Sequence, residues 1–275
     1  MHKSEYPLIV TQAELAEKRK HPNLLILDVG DEKTYSQHHL VDAYHVPYSR
    51  IVMACPPVPG EIRPEEELRE LFSELGISKD TWVVAYDDMG GAQAARLLWT
   101  LDLFDHPHLS LLDGGIQACI GQGYQVTRIK PDSREAVSFD SPFTAKGYAD
   151  KASVLAQLDQ SDTQFWDARS PEEFSGQKQV AKFGGHIPGA INLNWTELWE
   201  SSNFYRLKNR SLVTEIIDDA GLDPNKKVIT YCQTHRRSAL TYWIMKALGF
   251  TDIQGYAGAW AEWGNDKHTP KEMNP

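Results

Sequence analysis

The chain has 275 residues, 41% of them hydrophobic and 24% charged, which supplies enough apolar material for a buried core and argues against disorder. Its formal charge is −10 and no basic block runs beyond a few residues, so neither nucleic acid nor an anionic membrane is an expected partner. No apolar span reaches the roughly 18 residues of a membrane helix, and the N-terminal apolar run is too short for a secretory leader; a cytoplasmic protein is expected.

Length alone favours neither one domain nor two strongly; two are expected, and internal similarity divides them. In chain order, LLILDVGDEKTY (Leu24 to Tyr35) is a short apolar strand ending in Asp28 ahead of an acidic helix start, and HHLVDAYHVPY follows it. LGISKDTWVVAYD (Leu75 to Asp87) then passes from a helix end, through Gly76 and a polar turn, into a buried-type strand, and SLLDGGI comes after a further helix. The stretch from Lys130 to Tyr148 is polar, carries two prolines and lacks sustained periodicity, which marks 130–148 as a linker. Beyond it the pattern returns as TQFWDARSPEEF, GGHIPGAINLNW, AGLDPNKKVITYC and IQGYAGAW. Gly76 to Gly221 and Asp87 to Cys232 are both separated by 145 residues, and His39 aligns with His186. The second copy is longer by about eight residues near GQKQVAKF, an expected insertion loop. Strands alternating with helices imply an α/β fold, here two similar domains (1–129 and 149–275), each a parallel sheet covered by helices on both faces.

Three cysteines, Cys55, Cys119 and Cys232, make no CxxC and no zinc spacing. Cys55, in a proline-rich loop, and Cys119, on a helical face, are expected to be inert. The pairs His38 with His39 and His106 with His108 lack further ligands nearby and are expected at the surface, with no metal.

Cys232 is different. VITY is a buried parallel strand by composition, RRSALTYWIMKALG has helical periodicity with Gly249 as its stop, and the thiol stands between them. In open α/β sheets ligands bind at such carboxyl ends of strands. The loop of Gln233, Thr234, His235, Arg236 and Arg237 contains no proline, so every amide is free to point inward as an anion nest next to a helix N-terminus. Those amides and the two arginines favour thiolate over thiol, which makes Cys232 a nucleophile at neutral pH. At the matching position of the first half stands Asp87, which has no thiol chemistry and is expected to cap a helix or make an interdomain contact rather than act as a carboxylate nucleophile.

A strand-ending cysteine kept in only the second of two α/β copies, together with DARSPEEF and GHIPGAIN, resembles the tandem-domain rhodaneses over nearly the whole chain. The loop CQTHRR is most similar to those of bacterial thiosulfate sulfurtransferases. The resemblance implies two domains with five-stranded parallel sheets, 1–129 silent and 149–275 catalytic. It also implies ping-pong transfer of sulfane sulfur from thiosulfate to cyanide or a thiol through a persulfide on Cys232, with no cofactor beyond that covalent intermediate. Within it, the amides of Gln233 to Arg237 would hold the substrate, Arg237 would take the sulfonate group and Arg236 would face solvent or the first domain. Asp167 and Arg169 are expected to form an ion pair bracing the loop, His186 to bond neighbouring backbone, and Trp195 to wall the pocket or pack in the core. Vertebrate members carry an arginine four residues after the DAR-like motif, where this chain has Glu173, a carboxylate that would repel thiosulfate if it reached the pocket. A monomer is expected.

Two other activities compete. A cysteine phosphatase needs an arginine at the sixth position after the cysteine, where this chain has Ser238, and the shorter loop fits sulfur better than phosphate. A 3-mercaptopyruvate sulfurtransferase would show glycine and serine early in the loop rather than Gln233, Thr234 and His235. A persulfide carrier serving cofactor or cluster assembly stays open beside them.

Overall fold

Short runs rich in Val, Ile, Leu and aromatic residues, each bounded by a polar turn, suit strands buried on both faces. In the computed structural model, which describes residues 6–53, 56, 58–200 and 202–273, the first half supplies β1 (Ile9–Val10), β2 (Leu24–Asp28), β3 (Ala43–His45), β4 (Trp82–Tyr86) and β5 (Leu109–Leu112). They pair in parallel in the order β1-β5-β4-β2-β3. The second half supplies β6 (Tyr148–Ala149), β7 (Thr163–Asp167), β8 (Ile191–Asn192), β9 (Lys227–Tyr231) and β10 (Ile253–Tyr256), again parallel, in the order β6-β10-β9-β7-β8. The two permutations are identical, and the expected pair of five-stranded α/β sheets is present. Parallel neighbours require crossovers, and helices supply them. Helix α1 (Ala92–Asp102) follows the central strand β4, and α3 (Arg237–Leu248) follows its twin β9. Both are apolar almost all round, with Ser238 to Met245 of α3 buried without a break, as helices enclosed in a core must be.

The compact units do not coincide with the halves of the sequence. The first unit runs to Ile51, resumes over Arg63–Ala145 and takes in Glu200–Leu207; the second consists of Val52–Ile62, Lys146–Trp199 and the chain from Lys208. Each half therefore lends a short arm to the unit of the other. Most of the polar stretch expected as a linker is bound to the first unit. The N–H of Val137 donates to the Ser73 carbonyl at 3.1 Å and that of Thr144 to the Leu103 carbonyl at 2.8 Å. The ring of Phe139 meets those of Phe72 and Phe104 at 5.0 and 5.4 Å, so one aromatic side chain anchors an otherwise polar segment.

Two histidines expected at the surface are buried instead. His39 and His106 are 0% and 3% exposed. Each has a ring nitrogen bonded to a main-chain carbonyl, His39 to Tyr35 at 2.7 Å and His106 to Thr81 at 2.8 Å, which lets an aromatic polar ring replace a hydrophobe. Cys119 is 2% exposed, and burial pushes its thiol up to about 12. Cys55 lies outside the described residues.

Candidate active site

The strand register puts equivalent residues side by side at the carboxyl ends of both sheets. Asp28 pairs with Tyr86, and Asp167 with Tyr231. Each tyrosine hydroxyl accepts a main-chain N–H at 3.1 Å, Tyr86 from Leu40 and Tyr231 from Ile187. The aligned histidines are equivalent too: His39 stacks on Tyr35 with centroids 4.0 Å apart, and His186 on Phe174 at 3.6 Å. His186 also bonds the Phe174 carbonyl through Nδ1 at 2.9 Å, and its own N–H donates to the Glu272 carbonyl at 2.9 Å. It is a strut holding the loop after α2 (Pro171–Ser175) and the C-terminal segment together.

One residue past β4, the Asp87 carboxylate is the focus of four amides. Oδ1 accepts from Met89 at 2.9 Å and Gly91 at 2.7 Å, and Oδ2 from Gln93 at 2.8 Å and Ala94 at 3.0 Å. Gly90 and Gly91, at φ 83° and 91°, provide the left-handed turn that aims these donors inward. Burial pushes the carboxyl up despite the four N–H groups that oppose the shift. The equivalent loop after β9 holds Cys232, which is 0% exposed. Its carbonyl and that of Gln233 accept from the N–H groups of Trp260 and Ala261, both at 2.9 Å, so the carbonyls turn away and amides turn in. Burial raises the Cys232 thiol, but the Arg237 charge, the Ser238 hydroxyl and N–H, and the Thr234 N–H outweigh it; the net shift is downward.

His235, at φ +50° and fully buried, makes the turn that glycines make in the first unit. Its Nδ1 lies 2.7 Å from Ser238 Oγ. A serine has one hydroxyl proton; if that proton points at the sulfur, Nδ1 carries the hydrogen donated to Oγ, which fixes the imidazole tautomer. Gln233 reaches sideways, its Nε2 donating to the Val180 carbonyl in the insertion loop at 3.3 Å. Thr234 packs against Gly60 so closely that a Cβ there would lie 2.6 Å from the Thr234 carbonyl oxygen. Arg236 is exposed.

Arg237 does not have the free fork expected for a sulfonate. Its Nη1 and Nη2 donate to Oε2 and Oε1 of Glu173 at 2.7 and 2.9 Å, a bidentate pair with Glu173 only 5% exposed. Burial opposes charge on Arg237, but Glu173 and a hydrogen bond to Cys232 hold its pKa well above the ordinary arginine value. Burial likewise raises Glu173, and Arg237 overcomes this to leave it below the usual carboxylate range. Behind them, fully buried Arg169 grips Asp167 through Nε at 2.9 and 3.0 Å and Nη2 at 2.5 Å, donates to the Gly185 carbonyl at 2.8 Å, and lies 4.5 Å from the Trp260 ring. Arg169 also acts on Glu173. The result is an alternating series of charges: Asp167, Arg169, Glu173, Arg237, and the Cys232 sulfur. Trp195 hangs from this region by its N–H on the Ala168 carbonyl at 3.3 Å, its ring 4.0 Å from that of Trp199.

Sequence reasoning missed Ser238, which sits one residue beyond the loop inside the helical pattern, and the approach of Gly60. Glu173 was visible as an unusual carboxylate, but its partner, 64 residues away, was not. Among the described residues no cluster of three metal-ligating side chains occurs, and no helix is long and apolar enough to cross a membrane.

A family model described as "Rhodanese-like domain" matches residues 11–121 and 150–266. A thiosulfate sulfurtransferase of Azotobacter vinelandii is 38% identical over 271 residues, 97% of each chain. One from Pseudomonas aeruginosa is 37% identical over 274 residues, 98% of each. The crystal structure of YnjE superposes with a TM-score of 0.88 at 21% identity, covering 98% of this chain and 68% of that one, a likeness of fold.

Proposed function

This chain belongs to the rhodanese family, and from that premise we propose that it is a thiosulfate sulfurtransferase that carries sulfane sulfur on Cys232. The observation that carries the proposal is the placement of a fully buried Cys232 at the carboxyl end of β9, in a loop whose Cys232 and Gln233 carbonyls are turned away to Trp260 and Ala261, with Arg237 and Ser238 favouring its thiolate. At Cys119 burial outweighs the charges of Arg19 and Arg206, and that thiol moves the other way.

In the first half-reaction the Cys232 thiolate attacks the outer sulfur of thiosulfate. The new Sγ–S bond forms as the old S–S bond breaks, and its electron pair leaves with sulfite. The persulfide extends the side chain by about 2 Å and keeps its negative charge at the outer sulfur. The inward amides and the Ser238 hydroxyl stabilise charge at that place without reorganising, which lowers the barrier to both half-reactions. Cyanide or a thiolate then takes the outer sulfur and returns the Cys232 thiolate. Asp167 and Arg169 brace the loop through Trp260, while Gln233 ties it to the insertion loop. A nucleophile that must stay reduced supports the expectation of a cytoplasmic protein.

Intact mass spectrometry tests this directly. Thiosulfate should add about 32 Da, one sulfur atom, and cyanide should remove it, with both changes absent in Cys232→Ala. A chain that never gains that mass, or a Cys232→Ala variant that still consumes cyanide, would overturn the proposal.

A further inference from the structure

Resting on the sulfurtransferase assignment, we propose that Glu173 sets the charge of the sulfur donor: by occupying the fork of Arg237 it makes the site favour donors with one negative charge over dianionic thiosulfate. Both outer nitrogens of Arg237 are engaged by both oxygens of Glu173, and the charge of the same guanidinium acts on Cys232. The next guanidinium, Arg169, is buried and committed to Asp167 and Gly185. Asp167, Arg169, Glu173 and Arg237 therefore cancel, and the thiolate leaves one net negative charge at the point of attack. A dianion meets twice the repulsion that a monoanion meets there, because the guanidinium groups of Arg237 and Arg169 are each already paired with a carboxylate.

Glu173 cannot swing away without breaking its own helix start. It is the third residue of α2, where Ser170 caps the helix. The Glu173 N–H donates to Ser170 Oγ at 3.4 Å and the Ser170 N–H to Glu173 Oε2 at 3.3 Å. Glu173 thus acts through Arg237 as a positioning and specificity-determining residue, keeping the guanidinium aimed at sulfur while cancelling its attraction for a sulfonate.

The test compares thiosulfate with benzenethiosulfonate, a singly charged donor, using cyanide as acceptor. In each case Cys232 takes the terminal sulfur and the electron pair leaves with sulfite or with benzenesulfinate, so no proton or oxidant is needed. Glu173→Gln keeps the size and one acceptor but removes the charge. Both donors can respond through Arg237, but the ratio of KM for thiosulfate to KM for benzenethiosulfonate should fall by about tenfold. An equal shift for both donors, or a raised ratio, would overturn the proposal. Should the variant fold poorly, the unaltered protein decides: rising salt should lower KM for thiosulfate more steeply than for the monoanion, and a KM that rises with salt would refute the idea. Failure of either donor to form a persulfide would instead defeat the sulfurtransferase assignment itself.

Discussion

Cys232 and Asp87 occupy one structural position in two copies, and their surroundings differ in a few side chains. Around Asp87 the donors are four amides; around Cys232 a guanidinium and a hydroxyl join two amides. A strand-ending thiol beside a proline-free loop was legible in the sequence because strand periodicity and loop composition are local signals. Ser238 and the Glu173 pair were not, since a helical residue gives no sign of facing a neighbouring loop and an ion pair across 64 residues leaves no spacing to read. The sign of the thiol shifts yields a pH prediction. Cys232 lies below the ordinary thiol value and Cys119 up at about 12. Of these two thiols, iodoacetamide at pH 7 should therefore alkylate Cys232 and spare Cys119, and the rate at Cys232 should level off below the pH at which a free peptide cysteine levels off. Peptide mapping across a pH series checks both, and labelling of Cys119 at a comparable rate would contradict the assigned environments.

At the scale of elements, the active loop is shaped as much by what lies against it as by its own residues. Gly60 belongs to an arm from the first half of the chain that packs in the second unit, and its φ of +99° is open to glycine and strained for alanine. Gly60→Ala should cost about 1 to 3 kcal/mol of stability and push Thr234 out of place, so that kcat falls more than the urea midpoint does. Equal activity in the variant would mean that the loop holds its shape without the arm. The strands and the two central helices could be read from periodicity, but this contact could not. A proline-rich loop is recognisable as a loop, whereas its docking site, 174 residues later, is set by tertiary packing alone. The anchoring of the polar stretch after Lys130 on the first unit was hidden for a related reason, since Phe139 carries it without any periodic pattern.

For the whole molecule, the repeat was legible because the halves share a constant offset, while the exchange of arms was hidden by the same regularity. Glu200–Leu207 belongs to the first unit, where the Leu207 N–H and the Arg206 guanidinium meet Asp113 at 2.8 and 3.3 Å. Val52–Ile62 belongs to the second, where Glu61 bonds the Tyr148 hydroxyl at 3.2 Å. Dividing the chain between Ala145 and Lys146 therefore removes an arm from each unit and leaves Asp113, mostly buried, without the Arg206 guanidinium and the Leu207 N–H. Each fragment alone should unfold at lower urea than the intact chain, and 146–275 should lose most of its sulfur transfer. A second-half fragment matching the intact chain in both would show the arms to be dispensable.

The amide cradle around Asp87 has a tenant that can never depart. On the proposed route its twin is never vacated either: the sulfur resting there would be a monovalent anion before the transfer, and a longer monovalent anion after it. Because occupancy alternates only in length, neither step has to shuttle a hydrogen ion through the interior. A protein built in this way can dispense with an acid or base beside its nucleophile and leave the duplicated backbone to do the work.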